Sequence, residues 1–276
     1  MEETMPAYEQ IVYEVSRRVA TITLNRPEKL NAWTRQMEAE VTSAIRDAAA
    51  DDSVRVIVLA GAGKGFCAGA DLSLLATMAA DGDSAAANLT SEGPAEAPRE
   101  FRYKHAWLLS VPKPILAAIH GPCVGLGFVV SLYCDFRFAA ESARFSMIFS
   151  RRGLVAEYGL AWMLPRLVGL AEAIELAFTS KMIDAKEALR IGLVSRVLPD
   201  ENFPGRVQEI ARELADTVSP RSLAVMKRQI YRALDQNLGE SFALAIEEMR
   251  ASMGAGDFRE GIAHFLEKRP PLFTGR

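Results

Sequence analysis

The chain has 276 residues and a formal net charge of −3, with 50 % hydrophobic and 24 % charged residues, so it can build a large core. That charge gives no basic field for nucleic acid or an anionic membrane, and an anionic ligand would need a local cluster of donors. Three cysteines (Cys67, Cys123, Cys134) form no CxxC pair and only three histidines (His105, His120, His264) are present, so neither a metal site nor a disulfide framework is expected. Residues 1–10 are acidic and lack a basic-then-apolar leader pattern. No run of about 18 apolar residues occurs, so the expected setting is cytoplasmic, without a membrane partner.

In chain order, residues 11–24 (IVYEVSRRVATITL) alternate apolar and polar around Arg17-Arg18 and predict a β-hairpin. Asn25 to Lys29 reads as a polar loop. Met37, Val41, Ile45 and Ala48 recur at helical spacing between Thr34 and Ala49. Val54–Leu59 is a short β-branched run that suits a strand covered on both faces. It enters a glycine-rich loop, residues 61–70, after which Asp71 opens a helix. Residues 79–98 lack periodicity and read as a mobile surface loop. A helix is expected over Glu100–Leu109, a buried strand over Pro114–Ile119, and a second glycine-rich turn over Gly121–Gly127. Phe128–Cys134 reads as a buried helix ended by Asp135, followed by short strands at 136–139 and 144–148. Beyond Gly153 the pattern is helical: 160–168, 171–179, 185–191, 203–217, 220–237, 240–251 and 260–268. A strand at Val194–Val197 interrupts it. Strands alternating with helices and then a helical tail give an α/β core, residues 1–200, and a C-terminal helical region, residues 201–276.

Both glycine-rich turns follow a buried strand and precede a helix. Glycine lets backbone bend sharply and approach a ligand, and a helix N-terminus presents unpaired N–H groups. Two such ends converging on one oxygen would make an oxyanion hole from main-chain atoms. Ordinary tight connections are the alternative reading. Neither turn fits GxGxxG or GxxxxGK[ST], which excludes the usual dinucleotide and P-loop readings.

The segment Asn25-Arg26-Pro27-Glu28-Lys29-Leu30-Asn31-Ala32, then VIVLAG, FCAGADL, KPILAAIHGPCVGLG and CDFRFAA, resembles the enoyl-CoA hydratase/isomerase (crotonase) family. The blocks stand in the family's order, and AEYGLAWMLPRLVG, AKEALRIGLVSRVL and HFLEKR extend the likeness over nearly the whole chain. The resemblance implies a ClpP-like ββα spiral with a C-terminal helical trimerisation region, assembled as a homotrimer or a dimer of trimers. It implies an acyl-CoA or enoyl-CoA substrate, with coenzyme A part of the substrate and no separate cofactor.

Carried over by position, the oxyanion donors fall on the backbone amides of Ala70 and Leu126, the latter a position where relatives usually have glycine. Lys29, Leu30, Ala68, Asp71 and Leu72 match positions lining the coenzyme A pocket. Phe265 and Lys268 match a C-terminal pair that covers the coenzyme, often from a neighbouring subunit; a solvated amphipathic helix is the plainer reading of both. The two glutamates of a typical hydratase are replaced by Val129 and Phe149, and no nearby acid substitutes for them. Hydration needs one group to activate water and another to protonate C2, so a two-glutamate mechanism lacks its parts.

One acid remains well placed: Glu157, in Gly153-Leu154-Val155-Ala156-Glu157-Tyr158-Gly159, which resembles the Gly-Leu-Ile-x-Glu/Asp segment of relatives that shift double bonds. A single carboxylate suffices to take a proton from C2 of a 3-enoyl thioester and return it at C4. Flanking Val155, Phe149 and Val129 are expected to desolvate it and raise its pKa. Helix capping, worth about 0.3–1 kcal/mol, is the competing role. The leading expectation is therefore Δ3-to-Δ2 enoyl-CoA isomerisation. The alternatives are a hydratase or C–C hydrolase using Glu157 with water, and a non-catalytic acyl-CoA-binding paralogue. Asp135 is expected to make structural hydrogen bonds, Glu141 to be solvated, and Cys67 and Cys123 to pack as small apolar groups. His120 has no partner for a triad. Trp162 and Met163 extend an apolar helix; core packing is favoured for both over shaping the acyl pocket. The stretch Trp107–Leu109 is expected to border the acyl tail.

Overall fold

The computed structural model describes residues 8–80 and 92–276. The hairpin forms as expected: β1 (Ile11–Ser16) and β2 (Val19–Leu24) pair antiparallel across Arg17 and Arg18, whose φ angles of 48° and 65° are those of a type I′ turn. Helix α1 (Arg35–Ala50) starts at Thr34, whose hydroxyl accepts from the Met37 amide at 3.0 Å. Then come β3 (Val56–Gly61), α2 (Leu72–Ala80), β4 (Ile115–Ile119), β5 (Pro122–Val124), α3 (Leu126–Leu132), β6 (Phe136–Ala140) and β7 (Arg144–Ser146). The C-terminal half continues with α4 (Leu160–Val168), α5 (Leu170–Thr179), β8 (Ile183–Asp184), α6 (Ala185–Arg190), β9 (Arg196–Leu198), α7 (Phe203–Thr217), α8 (Pro220–Arg232), α9 (Leu238–Met253) and α10 (Gly256–Glu267).

The main sheet has the order β1-β2-β3-β4-β6-β9, parallel except for the hairpin, and β5-β7-β8 form a second, smaller sheet. Strand alternation assigns its two faces. Ile22, Ile57, Leu59, Ile115 and Ala117 point to the large core that α1 and the second sheet close. Val56, Val58, Leu116, Ala118 and Phe138 point the other way, onto Phe203, Val207, Ala211 and Ala215 of α7. Both faces are covered, which is why β3 and β4 read as continuous apolar runs. The boundary expected at residue 200 thus falls just before a helix that covers the sheet.

The expected helix over Glu100–Leu109 does not form. The segment consists of two 3-10 stretches, Arg99–Phe101 and Ala106–Ser110, separated at His105, whose φ is +64°. A left-handed residue breaks an i to i−4 ladder, and the break turns Trp107, Leu108 and Leu109 into the core. The helix expected over 220–237 ends at Arg232. The part of the expected surface loop that covers 81–91 lies outside the described residues.

Asp135, just beyond α3, is the structural acid the sequence suggested. Its carboxylate accepts from the Ile115 amide (2.7 Å), the Lys227 ammonium (2.7 Å) and the Tyr231 hydroxyl (3.0 Å), tying α8 to the end of β4. Burial pulls the Lys227 pKa down against the attraction of the carboxylate, whereas burial and then the carboxylate both push that of Tyr231 up.

Candidate active site

The two glycine turns meet. Trp33 forms a parallel bridge with Ala70 by donating to the Gly69 carbonyl (2.7 Å) and accepting from the Asp71 amide (3.0 Å). That pattern occupies the neighbours of Ala70 and leaves its own N–H directed away from Trp33. On the opposite side, Cys67 pairs with Cys123: its amide donates to Pro122 (3.0 Å) and its carbonyl accepts from Val124 (2.9 Å). The first turn is therefore held between residue 33 and β5.

Gly69 has φ +105° and Gly125 φ +55°, conformations that an L side chain rarely adopts. A methyl group on Gly69 would stand 3.2 Å from the Val124 carbonyl oxygen, and one on Gly125 would stand 3.5 Å from the Gly69 Cα. The residues immediately before the two expected donors are thus in contact. Gly125 is the N-cap of α3, so Leu126 is the first residue of a helix whose opening N–H groups have no partner within it. Neither the Ala70 nor the Leu126 amide donates to a backbone carbonyl among the described residues. The Leu126 side chain is buried in the core and its φ is not positive, so a leucine stands at this helix start without backbone strain. Close packing reinforces this: a methyl on Gly127 would fall 2.6 Å from the Cys67 Cβ.

Helix α3 spans about 10 Å at 1.5 Å per residue. Its far cap is Tyr133, which lines a cavity of about 760 Å³ together with Leu109, Lys104, Glu157, Tyr158 and Trp162. The Tyr133 hydroxyl donates to the Tyr158 carbonyl, and a methyl on Gly159 would lie 2.6 Å from that hydroxyl. Tyr158 (φ +52°) and Gly159 (φ +72°) are both left-handed and set the turn that presents Glu157 at the start of α4. Glu157 is half-buried, and burial raises its pKa, opposed by the attraction of Lys104. Its expected apolar neighbours contribute unequally. Val155 lines the cavity but is largely exposed, while Val129 and Phe149 are buried in the core.

The expected coenzyme A positions divide into two sets. The Ala68 amide donates to the Leu30 carbonyl (2.9 Å), and Asp71 follows Ala70, so Leu30, Ala68 and Asp71 lie along one edge beside the first turn. Lys29 and Leu72 are exposed there. Ser73 hydrogen bonds first, and then Arg26 at 2.9 Å, hold the Asp71 pKa down to about 2. Phe265 and Lys268 stand exposed at the end of α10, away from this edge in element order.

Cys67 and Cys123 are buried, and burial pushes the Cys67 thiol up to about 12, as packing groups require. His120 contacts the Gly63 carbonyl at 3.0 Å. Met163 packs in the core as expected, and Leu109 borders the cavity; Trp162, half-buried, packs against the core and also lines the cavity wall. Sequence reasoning did not single out Lys104, Tyr133 or Tyr158. Lys104 donates to Glu38 at 2.7 Å and stands 5.5 Å from the centroid of the Tyr158 ring. Tyr158 packs edge-on to His105, which packs edge-on to Trp33. Burial pulls the His105 pKa down to about 3, so this ring is neutral and joins the two halves of the site through apolar contact. The signal in the sequence was a run of aromatic and basic residues, Phe101 to Trp107, which helical spacing alone could not orient.

Among the described residues, no cluster of His, Cys, Asp and Glu suits a metal ion, and no helix is long and apolar enough to cross a membrane.

Comparison with known proteins gives concordant results. Residues 14–276 match the model of the enoyl-CoA hydratase/isomerase family. The chain is 35 % identical over 273 residues to a 1,2-epoxyphenylacetyl-CoA isomerase of Escherichia coli (strain K12), covering 97 % of this chain and 99 % of the relative. An enoyl-CoA hydratase from Bacillus anthracis superposes with a TM-score of 0.88 at 29 % identity, covering 97 % of this chain and all (100 %) of that one. An enoyl-CoA hydratase/isomerase from Cupriavidus metallidurans CH34 gives a TM-score of 0.86 at 32 % identity, with 98 % of each chain covered.

Proposed function

The chain belongs to the enoyl-CoA hydratase/isomerase family and has its crotonase fold, and from that premise we propose that it moves a double bond along an acyl-CoA thioester, with Glu157 carrying the proton. The observation that carries this reading is that Glu157 is half-buried in the cavity wall, where the other described acids, Glu92, Glu100 and Asp235, are exposed, while by the family resemblance Val129 and Phe149 stand where a hydratase has its glutamates.

The amides of Ala70 and Leu126 hold the thioester carbonyl oxygen. Glu157 removes a proton from C2 of a 3-enoyl thioester. The electron pair spreads into a dienolate whose negative oxygen rests on the two N–H donors, and Glu157 returns the proton at C4. The double bond moves from Δ3 to Δ2, and nothing is oxidised or reduced. Each donor is worth about 3–4 kcal/mol to the charged intermediate when water is excluded. A carboxylate with a raised pKa suits the shuttle because it is a stronger base toward C2 than an ordinary carboxylate, while its conjugate acid is still acidic enough to protonate the dienolate at C4. Leu30, Ala68, Asp71 and Leu72 line the approach for the coenzyme, with Lys29 at its rim; Phe265 and Lys268 close over it from a second copy. The isomerase name carried by the relative at 35 % identity supports the reading.

The test follows the absorbance of the conjugated thioester with 3-enoyl-CoA and 2-enoyl-CoA as substrates. The 3-enoyl substrate should become conjugated, and Glu157→Gln should slow this by about 10²–10⁴-fold. Consumption of the 2-enoyl substrate alone, at a rate unchanged by Glu157→Gln, would place the chemistry with hydration. Binding without any α-proton exchange into deuterated water would identify a non-catalytic acyl-CoA binder.

A further inference from the structure

The cavity beside Glu157 is not uniformly apolar. Leu109, Tyr133, Tyr158 and Trp162 give it apolar walls, but Lys104 also lines it, with a side chain only 17 % exposed. The ammonium is fixed by Glu38 at 2.7 Å and by the Tyr158 ring at 5.5 Å. A lysine has three N–H donors, and the Glu38 carboxylate occupies one of them. A plain hydrocarbon tail filling this space would strip water from the ammonium and from Glu157 without replacing a hydrogen bond, which is unfavourable. The Tyr133 hydroxyl offers no donor, because it is committed to the Tyr158 carbonyl.

We propose that the acyl cavity selects a thioester whose acyl group carries an uncharged oxygen (hydroxyl, oxo or ether), and that Lys104 is the residue that recognises it. Charge decides between a neutral and an anionic group. Lys104 is the one cation among the described lining residues, which also include Glu157, Glu92, Asp235 and Glu100, the last paired with Arg232. Its own charge is already balanced by Glu38. A second carboxylate on the substrate would add to an acidic surround, whereas a neutral oxygen accepts a hydrogen bond at no Coulombic cost. The selectivity rests on the reading that this cavity holds the acyl chain, and it does not depend on which reaction follows.

Saturated thioesters separate these questions, because they bind without turnover. Calorimetric titration would compare hexanoyl-CoA, 4- and 5-oxohexanoyl-CoA and adipoyl-CoA on the wild-type protein, Lys104→Met and Lys104→Arg. At least one oxo thioester should bind the wild type about tenfold tighter than hexanoyl-CoA, the share of one charge-assisted hydrogen bond, with adipoyl-CoA weakest. The ratio of oxo to hexanoyl affinity should fall to near one in Lys104→Met and persist in Lys104→Arg, which keeps the cation and its pairing with Glu38. Equal binding of hexanoyl and oxo thioesters, an unchanged ratio in Lys104→Met, or tightest binding of adipoyl-CoA overturns the proposal while leaving the acyl-CoA reading intact. If no thioester binds, both fall together.

Discussion

Glu157 combines a functional and a thermodynamic cost. Burial raises its folded-state pKa, so the folded protein binds the proton more strongly than the unfolded chain does. The associated stability is fully present below the ordinary carboxyl value of 4.5 and is lost as pH rises through the raised folded value. At neutral pH the charged group therefore works against the fold, and Glu157→Gln should raise Tm at pH 7 but leave it unchanged near pH 4. Thermal unfolding at the two pH values checks this; a lowered Tm at pH 7 would point to a structural cap. The same shift predicts that kcat/KM for a 3-enoyl thioester falls as pH drops through a value above 4.5, since the base must be ionised. The sequence made this residue legible through the family resemblance of the segment GLVAEYG, since helix capping is an ordinary structural role for an acid at that place. Lys104 was not legible, since its meaning depends on Glu38 and Tyr158, 66 and 54 residues away along the chain, and only the fold brings them together.

Among the elements, the crossing of the two turns does most to position the chemistry. Gly69 is the point where an added side chain meets both a forbidden φ and the Val124 carbonyl. Gly69→Ala is expected to cost about 1–3 kcal/mol of stability and to lower activity by more than that loss explains, because it displaces the Ala70 amide. Equilibrium unfolding measured alongside kcat separates the two effects; intact activity would remove the turn from the mechanism. Asp135 supplies a second element-level prediction. Asp135→Ala leaves the Lys227 ammonium buried without its partner and should destabilise the protein by about 3–5 kcal/mol, read by denaturant titration. The strands and most helices were readable because both sheet faces are covered and the apolar periods are regular. The region 99–110 was not, because a left-handed His105 breaks a helical pattern that composition supports. Burial among aromatic rings, which no local sequence signal records, is what holds that residue there.

At the level of the whole molecule, the C-terminal helices leave apolar side chains uncovered. Ile230 on α8, Phe242, Ile246 and Met249 on α9, and Ile262 and Phe265 on α10 are exposed in the single chain. An apolar surface of that kind calls for a partner, and the family resemblance makes a second copy the natural one. Light scattering should give three or six times the chain mass of 30.2 kDa, and Phe242→Asp with Ile246→Asp should reduce it. The same variant should weaken coenzyme A binding if Phe265 and Lys268 reach a neighbouring site. A monomeric wild type with full affinity would detach α10 from the site.

Most direct is a crystal structure with a non-reactive acyl-CoA thioester bound. The thioester carbonyl oxygen should lie about 2.7–3.1 Å from the backbone nitrogens of both Ala70 and Leu126, with a Glu157 oxygen within hydrogen-bond reach of C2. A carbonyl oxygen held by other groups, or a Glu157 carboxylate turned away from C2, would contradict the account.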